Sequence, residues 1–428
     1  MTAEIAILNR SAIAVAADSA VTVGRDKVHI SANKIFSVSD SCPIGCMIYG
    51  NAEFASIPWE TLIKLFRTER GDQKFLTVQD CRDDFFEYLK GDRFLTEETI
   101  TTSFVLFTVS VAEQIKDVLE EMPARERGQK LEEIIKEKTE EFINHKVSAK
   151  CDVPEIKSFS KAHKADIRLI LNEVFEEISY KYPARLDALM VDMIYAAFTS
   201  GYVSEYHSGI VFFGFGESDL LPAITRDELD GAPFKSLRLR EDLIGVKDIG
   251  KQAAIIPFAD TEVMTSFMEG ATKEMQATCM ALLFKTSEEV AKRVVQENFS
   301  LSESEYKTVE AMNRTIIQKI VEESITALRD EIHARNIAPV MRAVGSLPKD
   351  DMAKLAEALV EVTALKKKVS PLIESVGGPI DVCIVTKGDG LIWIKRKHYF
   401  DLAKNLQYVS HRRINSSQLL LGGTNGKS

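Results

Sequence analysis

Between residues 3 and 50 the chain breaks into short apolar runs separated by polar turns, a rhythm that predicts strands. Ile5 and Ile7 alternate with smaller or polar neighbours, the pattern of a half-buried strand. Asn9-Arg10-Ser11 supplies a polar turn, and Ala12 to Ala17 forms a second apolar run ending in Asp18-Ser19. A further polar stretch leads to Lys34, followed by Ile35-Phe36-Ser37-Val38 and by the run from Ile44 to Gly50. The expected layout is strand, turn, strand, loop, hairpin.

Thr2 stands at the leading end of this layout, directly behind Met1. Threonine is small enough for methionine aminopeptidase to expose it, which would put a free α-amine and a hydroxyl on one residue. An α-amine has a pKa of roughly 7.7–8.0, so near neutral pH part of it is unprotonated and can take the hydroxyl's proton. A Thr at this position is common and by itself marks only the neighbour of a start codon.

Taken together, Thr2, Asp18, Lys34 and Gly50 resemble the site of a catalytic proteasome β-subunit and of the related bacterial proteasome-like peptidase, both N-terminal nucleophile hydrolases. The resemblance implies Thr2 as nucleophile, Asp18 as the acid ending the second strand and Lys34 as the essential lysine. Gly50 would be the oxyanion-hole glycine if the intervening hairpin is two residues longer here. The Ala16-Ala17-Asp18-Ser19 and Val21-Thr22 stretches also sit where the family has similar residues. It implies acyl transfer, with Thr2 attacking an amide carbonyl and its own amine relaying the proton. The Lys34 charge, paired with Asp18, would lower the hydroxyl's effective pKa. A Gly50 N–H on the oxyanion would contribute roughly 2.7–4 kcal/mol, as in comparable holes. By the same resemblance Ala32, Phe36, Ile48 and Ala52 would line a substrate pocket with an apolar preference. Two departures stand out. Residues 254–264 contain no serine, leaving Asp260 and Thr261 as the nearest polar side chains. Before Gly377-Gly378, Ile373 and Val376 flank Glu374 and Ser375 where the family has supporting polar residues.

Composition narrows the classes. Charged residues make up 28% and apolar ones 45%, an ordinary globular balance, and the net charge of −10 comes without a basic stripe. Nucleic acid is therefore not an expected partner. Six scattered cysteines form no CxxC pair and no metal-ligand spacing, so neither a metal nor another cofactor is expected. There is no run of eighteen apolar residues and no signal-peptide pattern, which predicts a cytoplasmic protein without a membrane partner.

Further along, Phe54 to Arg67 and Thr77 to Lys90 read as helices, closing a first core piece over 1–92. Residues 93–206 are strongly helical, with apolar stripes such as Leu186, Leu189, Met190, Met193, Ile194 and Ala197, and read as an insertion. A hairpin and a further strand return over 207–270. Gly214 and Gly216 lack the third glycine and following helix of a nucleotide fingerprint. A second helical tract or helix extension spans 271–345, with a stripe through Ile316, Ile317, Ile320, Val321, Leu328 and Ile332. The last core piece, 346–400, reads as a helix capped by Ser346 and a hairpin turning at Gly388-Asp389-Gly390. An extension and tail occupy 401–428. The fold class expected is α+β, and by the resemblance a four-layer αββα sandwich of the N-terminal nucleophile hydrolase type, interrupted by large helical insertions.

The function expected is a proteasome-like threonine peptidase acting on peptides or proteins. The family implies a homo-oligomer and an unfoldase or regulatory partner. Two alternatives stay open: a non-catalytic ring or scaffold subunit, and an amidase acting on small molecules.

Overall fold

The computed structural model describes residues 3–23, 27–29, 32–145, 147–242, 253–259, 261–369, 377–398, 400 and 404. The chain opens with β1 (Ala3–Asn9) and β2 (Ala12–Ala17), then β3 (Val21–Val23), β4 (Lys27–His29), β5 (Ile35–Ser37) and β6 (Ile44–Gly50). The β1–β2 turn is tied by Asn9, whose Oδ1 accepts the Ser11 and Ala12 N–H groups at 2.9 and 3.2 Å. A two-strand ribbon, β7 (Glu53–Phe54) and β8 (Ile57–Pro58), precedes α1 (Trp59–Arg70) and α2 (Val78–Leu89). The first helix thus starts five residues later than Phe54, because that stretch is taken up by the ribbon. Thr77 caps the second, in a reciprocal pair with Asp80.

Four long helices follow: α3 (Glu97–Glu120), α4 (Ala124–Ile143), α5 (Ile156–Glu176) and α6 (Asp187–Thr199). Then come β9 (Ser208–Gly214), β10 (Ala223–Leu229), β11 (Leu239–Asp242) and β12 (Ala253–Ala259). The second helical tract comprises α7 (Glu262–Glu269), α8 (Lys273–Asn298), α9 (Glu303–Ile332) and α10 (Ala338–Gly345), and α11 (Lys349–Val369) leads to β13 (Asp381–Thr386) and β14 (Gly390–Lys395). Ser346 ends α10 rather than capping α11, which begins three residues later. The tail from 405 onward lies outside the described residues.

The architecture is mixed α+β with antiparallel sheets. One five-stranded sheet runs β12-β1-β2-β13-β14 and another runs β11-β10-β9-β6-β5. Side-chain alternation divides β1 between two environments. Ala3, Ile5 and Ile7 cluster with Met352, Ala356 and Leu359 of α11, whereas Ala6 and Leu8 cluster with Met47, Val211 and Phe213 of the other sheet. The reverse face of that second sheet packs Cys46, Ile210 and Phe212 against Leu62, Phe66 and Phe85 of α1 and α2. Each large apolar side chain fully buried in this way contributes about 1.5–3 kcal/mol. β1 is therefore buried on both faces, not half-buried; a single strand's alternation cannot reveal that its second face also meets protein.

The helices α3–α6 form an apolar core of their own, including Phe107, Leu131, Phe159, Leu171 and Phe198. It is fastened to the second sheet by Arg238, fully buried beside β11. Its guanidinium donates to Asp230 Oδ2 at 2.6 Å and to the carbonyls of Ala197, Ser200 and Tyr202 at 3.0, 2.9 and 2.9 Å. A cation thus meets the carbonyl end of α6, where the helix dipole favours it.

Candidate functional site

The polar centre of the molecule lies at the open end of β1 and β2. β2 runs out at Ala17, and Asp18 turns back beside the start of β1 because its own N–H bonds the Ala3 carbonyl at 3.1 Å. Its fully buried carboxylate is saturated. Oδ1 accepts the Ala3 N–H at 3.2 Å and the Lys34 ammonium at 2.6 Å. Oδ2 accepts the N–H groups of Ala20 and Gly377 at 3.3 and 2.9 Å. Ser19 adds a second tie to the approach of β13, with its N–H on the Gly377 carbonyl at 3.1 Å and its hydroxyl on that of Pro379. An ion pair this deep survives only because hydrogen bonds satisfy the remaining carboxylate lone pairs.

Lys34 is 4% exposed and is positioned through β5, whose register on β6 places the Ile48 N–H on the Lys34 carbonyl at 3.0 Å. Gly50 closes β6 two residues further on, with φ +78°, and a Cβ there would collide with the His207 carbonyl. The Asn51 N–H bonds that same carbonyl at 2.9 Å, and Ser208 joins the Asn51 carbonyl to the Trp59 indole, each at 2.9 Å. The end of β6 is therefore a fixed piece of backbone.

The structure brings Asp18 and Lys34 into contact and puts Gly50 on the strand next to Lys34. Thr2 lies outside the described residues, as do Asp260, Ile373, Glu374, Ser375 and Val376. Phe36 and Ile48 are buried in the apolar cluster beneath α1 and α2, Ala32 is half-buried, and Ala52 is exposed. A separate cavity of about 140 Å³ opens beyond Gly50, between Asn51, Phe54, Ser56, Ser103, Ser204 and Asp230. None of the four expected pocket residues lines it.

One residue of this region escaped the sequence reading. Glu4 is buried two positions after Thr2, and among the described residues neither of its carboxylate oxygens has a hydrogen-bond partner. Burial pushes its pKa well above the usual carboxylate range, against the opposing pull of the Lys34 charge. The only sequence signal was a charge inside an apolar run, which a half-buried strand would have pointed at solvent. Among the described residues no cluster of His, Cys, Asp and Glu could hold a metal ion, and no helix is long and apolar enough to cross a membrane.

Comparison with known proteins corrects one expectation. No family model matches the chain, and no curated protein matches it. Among solved structures it is similar to the helical assembly of the Anbu complex from Pseudomonas aeruginosa, at 9% identity and a TM-score of 0.28, covering 99% of this chain and 97% of that one. It is also similar to Anbu (ancestral beta-subunit) from Yersinia bercovieri, at 9% identity and a TM-score of 0.29, covering 100% and 98%. Overlap at this level transfers neither fold nor activity. The expected membership among catalytic proteasome β-subunits or bacterial proteasome-like peptidases is overturned: no model of a peptidase family matches, and the similar structures are named as Anbu.

Proposed function

We propose that this chain is a subunit of a larger homo-oligomeric assembly, serving as a structural element of it. The observation that carries this reading is the helical pair α8–α9. These helices, 26 and 30 residues long, pack mainly on one another and on short segments at their base, and only Val295, Ile317 and Val321 are buried. Leu282, Val290, Met312, Ile316 and Ile320 are each more than half exposed. Helices in proteins draw most of their stability from burying an apolar face, and a large exposed apolar patch marks an interface. Light scattering on the purified chain tests this. A mass several times that of one chain, reduced by Ile316→Glu with Ile320→Glu, supports assembly; a monomer at every concentration refutes it.

A second reading, an amide hydrolase with Thr2 as nucleophile, is favoured by one specific observation: the buried Asp18–Lys34 pair is tied to the N–H of Ala3, the residue that follows Thr2 in the sequence. A positive charge held in a dry site favours an ionised oxygen nearby. Intact mass before and after a hydroxyl-reactive electrophile tests it. Loss of Met1 and gain of one adduct, absent in Thr2→Ala, supports the hydrolase; retained Met1 or no adduct leaves the structural role. Unfolded peptides against simple amides would then separate a peptidase from a small-molecule amidase.

We read the packing of α1 and α2 on one sheet, α11 on the other, and the apolar seam between the sheets as a four-layer αββα sandwich. The six cysteines of the chain are unpaired, which fits a reducing, cytoplasmic location.

A further inference from the structure

Glu4 occupies β1 opposite Ala17 of β2 and Phe258 of β12. The alternation along β1 sends its side chain to the same side as Ala6 and Leu8, into the seam between the sheets. Around it the seam is apolar: Ala17 and Phe258 flank it, and the Tyr49 ring lies 6.2 Å from that of Phe258. A carboxylate with two unpartnered oxygens in such a place is far costlier than the neutral acid.

The titratable groups that act on or feel this carboxyl come from three elements. Asp18 follows β2, Lys34 precedes β5, and Tyr49 and Cys46 belong to β6. Burial pushes the Tyr49 phenol and the Cys46 thiol up, so both are uncharged at neutral pH, and the Tyr49 hydroxyl is turned to Arg226 at 2.7 Å. Strand β12 carries no titratable side chain. Among the described residues, the positive charge that acts on Glu4 is that of Lys34, which already holds Asp18 at 2.6 Å.

We propose that Glu4 is a positioning residue of the Asp18–Lys34 site: an uncharged carboxyl walled in beside the pair, whose ionisation draws Lys34 from Asp18. With its proton, Glu4 completes the wall of the site and leaves the pair intact. Without it, a second carboxylate competes for the same ammonium, and the site loosens as pH rises. The positioning role rests on the hydrolase reading; the buried proton does not.

The test uses the full chain, its Glu4→Gln variant, which keeps the shape without the charge, and Glu4→Asp, which keeps a titrating carboxyl. The first readout is the rate of single-adduct formation on Thr2 by a hydroxyl-reactive lactone across pH. In the wild type the rate falls on the alkaline side by up to about tenfold per pH unit. Glu4→Gln lacks that fall, and Glu4→Asp restores it. The second readout is urea unfolding. A raised folded-state pKa means that the folded chain holds a proton the unfolded chain has released. Relative to Glu4→Gln, the wild type's folding constant therefore drops by about tenfold per pH unit above pH 4.5, until Glu4 ionises in the folded state. Superimposable unfolding profiles for wild type and Gln variant overturn the buried proton. Matching labelling profiles with distinct unfolding profiles overturn the positioning role. A chain that takes no label at any pH, yet shows the unfolding difference, removes the hydrolase reading and keeps the buried proton.

Discussion

The two helical tracts, α3–α6 and α8–α9, have similar amphipathic stripes and very different surroundings. In the first, Phe107, Phe159 and Phe198 close on one another and on the aromatic ring of Phe234, while Arg238 bolts α6 to the second sheet. In the second, a stripe of the same spacing at Met312, Ile316 and Ile320 faces outward. The difference teaches that periodicity specifies which face of a helix is apolar, not what covers it. Four helices can enclose a core; two can bury only the line along which they touch.

The largest effect expected from breaking this contrast is at Arg238. Arg238→Met leaves Asp230 charged and unpaired at 6% exposure, and frees the carbonyl end of α6. Removing one partner of a buried pair costs about 3–5 kcal/mol. Denaturant unfolding should show this loss, and hydrogen exchange should place the earliest opening in α3–α6 while β1 and β2 stay protected. Equal loss of protection in β1 and β2 would mean that the helical unit is not separable from the sheets.

Phe198→Ala sharpens the comparison from inside. Phe198 is fully buried and stacks on Phe107 with ring centroids 4.1 Å apart, so its removal should cost about 3–5 kcal/mol. Ile316→Ala, in a residue of comparable hydrophobicity on α9, should change the stability of a single chain by no more than about 0.5 kcal/mol. If Ile316→Ala is instead strongly destabilising at low protein concentration, α9 is covered by its own chain.

How much was legible follows from the same contrast. The strand–turn–strand opening and the hairpin at Gly388-Asp389-Gly390 could be read because turn chemistry is local: Asn9 caps its own turn and Gly390 takes φ +81°. The contact between Asp18 and Lys34 is not local and was reachable only through a resemblance. The family assigned by that resemblance did not survive comparison. Glu4 was missed because alternation with Ile5 and Ile7 fits a strand with one wet face as well as one buried on both. Arg238 was missed for a related reason. An arginine next to a strand reads as a surface cation until the carbonyl end of a distant helix arrives above it.

The smallest expected effect is a pH dependence confined to the first tract. His163 of α5 stacks on Phe104 of α3, with centroids 4.4 Å apart, and lies near Phe159 and Phe234. Partial burial lowers its pKa from the ordinary 6.5, against the weaker pull of Asp166. The unfolded chain then takes up a proton at a higher pH than the folded one does. The contribution of neutral His163 is fully present above pH 6.5 and is lost as pH falls from there towards its folded-state value. The protection of α3 and α5 amides, with exchange rates normalised to the intrinsic rate at each pH, should therefore fall between neutral and mildly acidic pH, whereas that of α8 and α9 should not follow. His163→Phe keeps an aromatic ring on Phe104 and should abolish the acid-side change without lowering stability at neutral pH. Persistence of that change in His163→Phe would assign it to carboxylates elsewhere, and the aromatic core of α3–α6 would then be indifferent to pH.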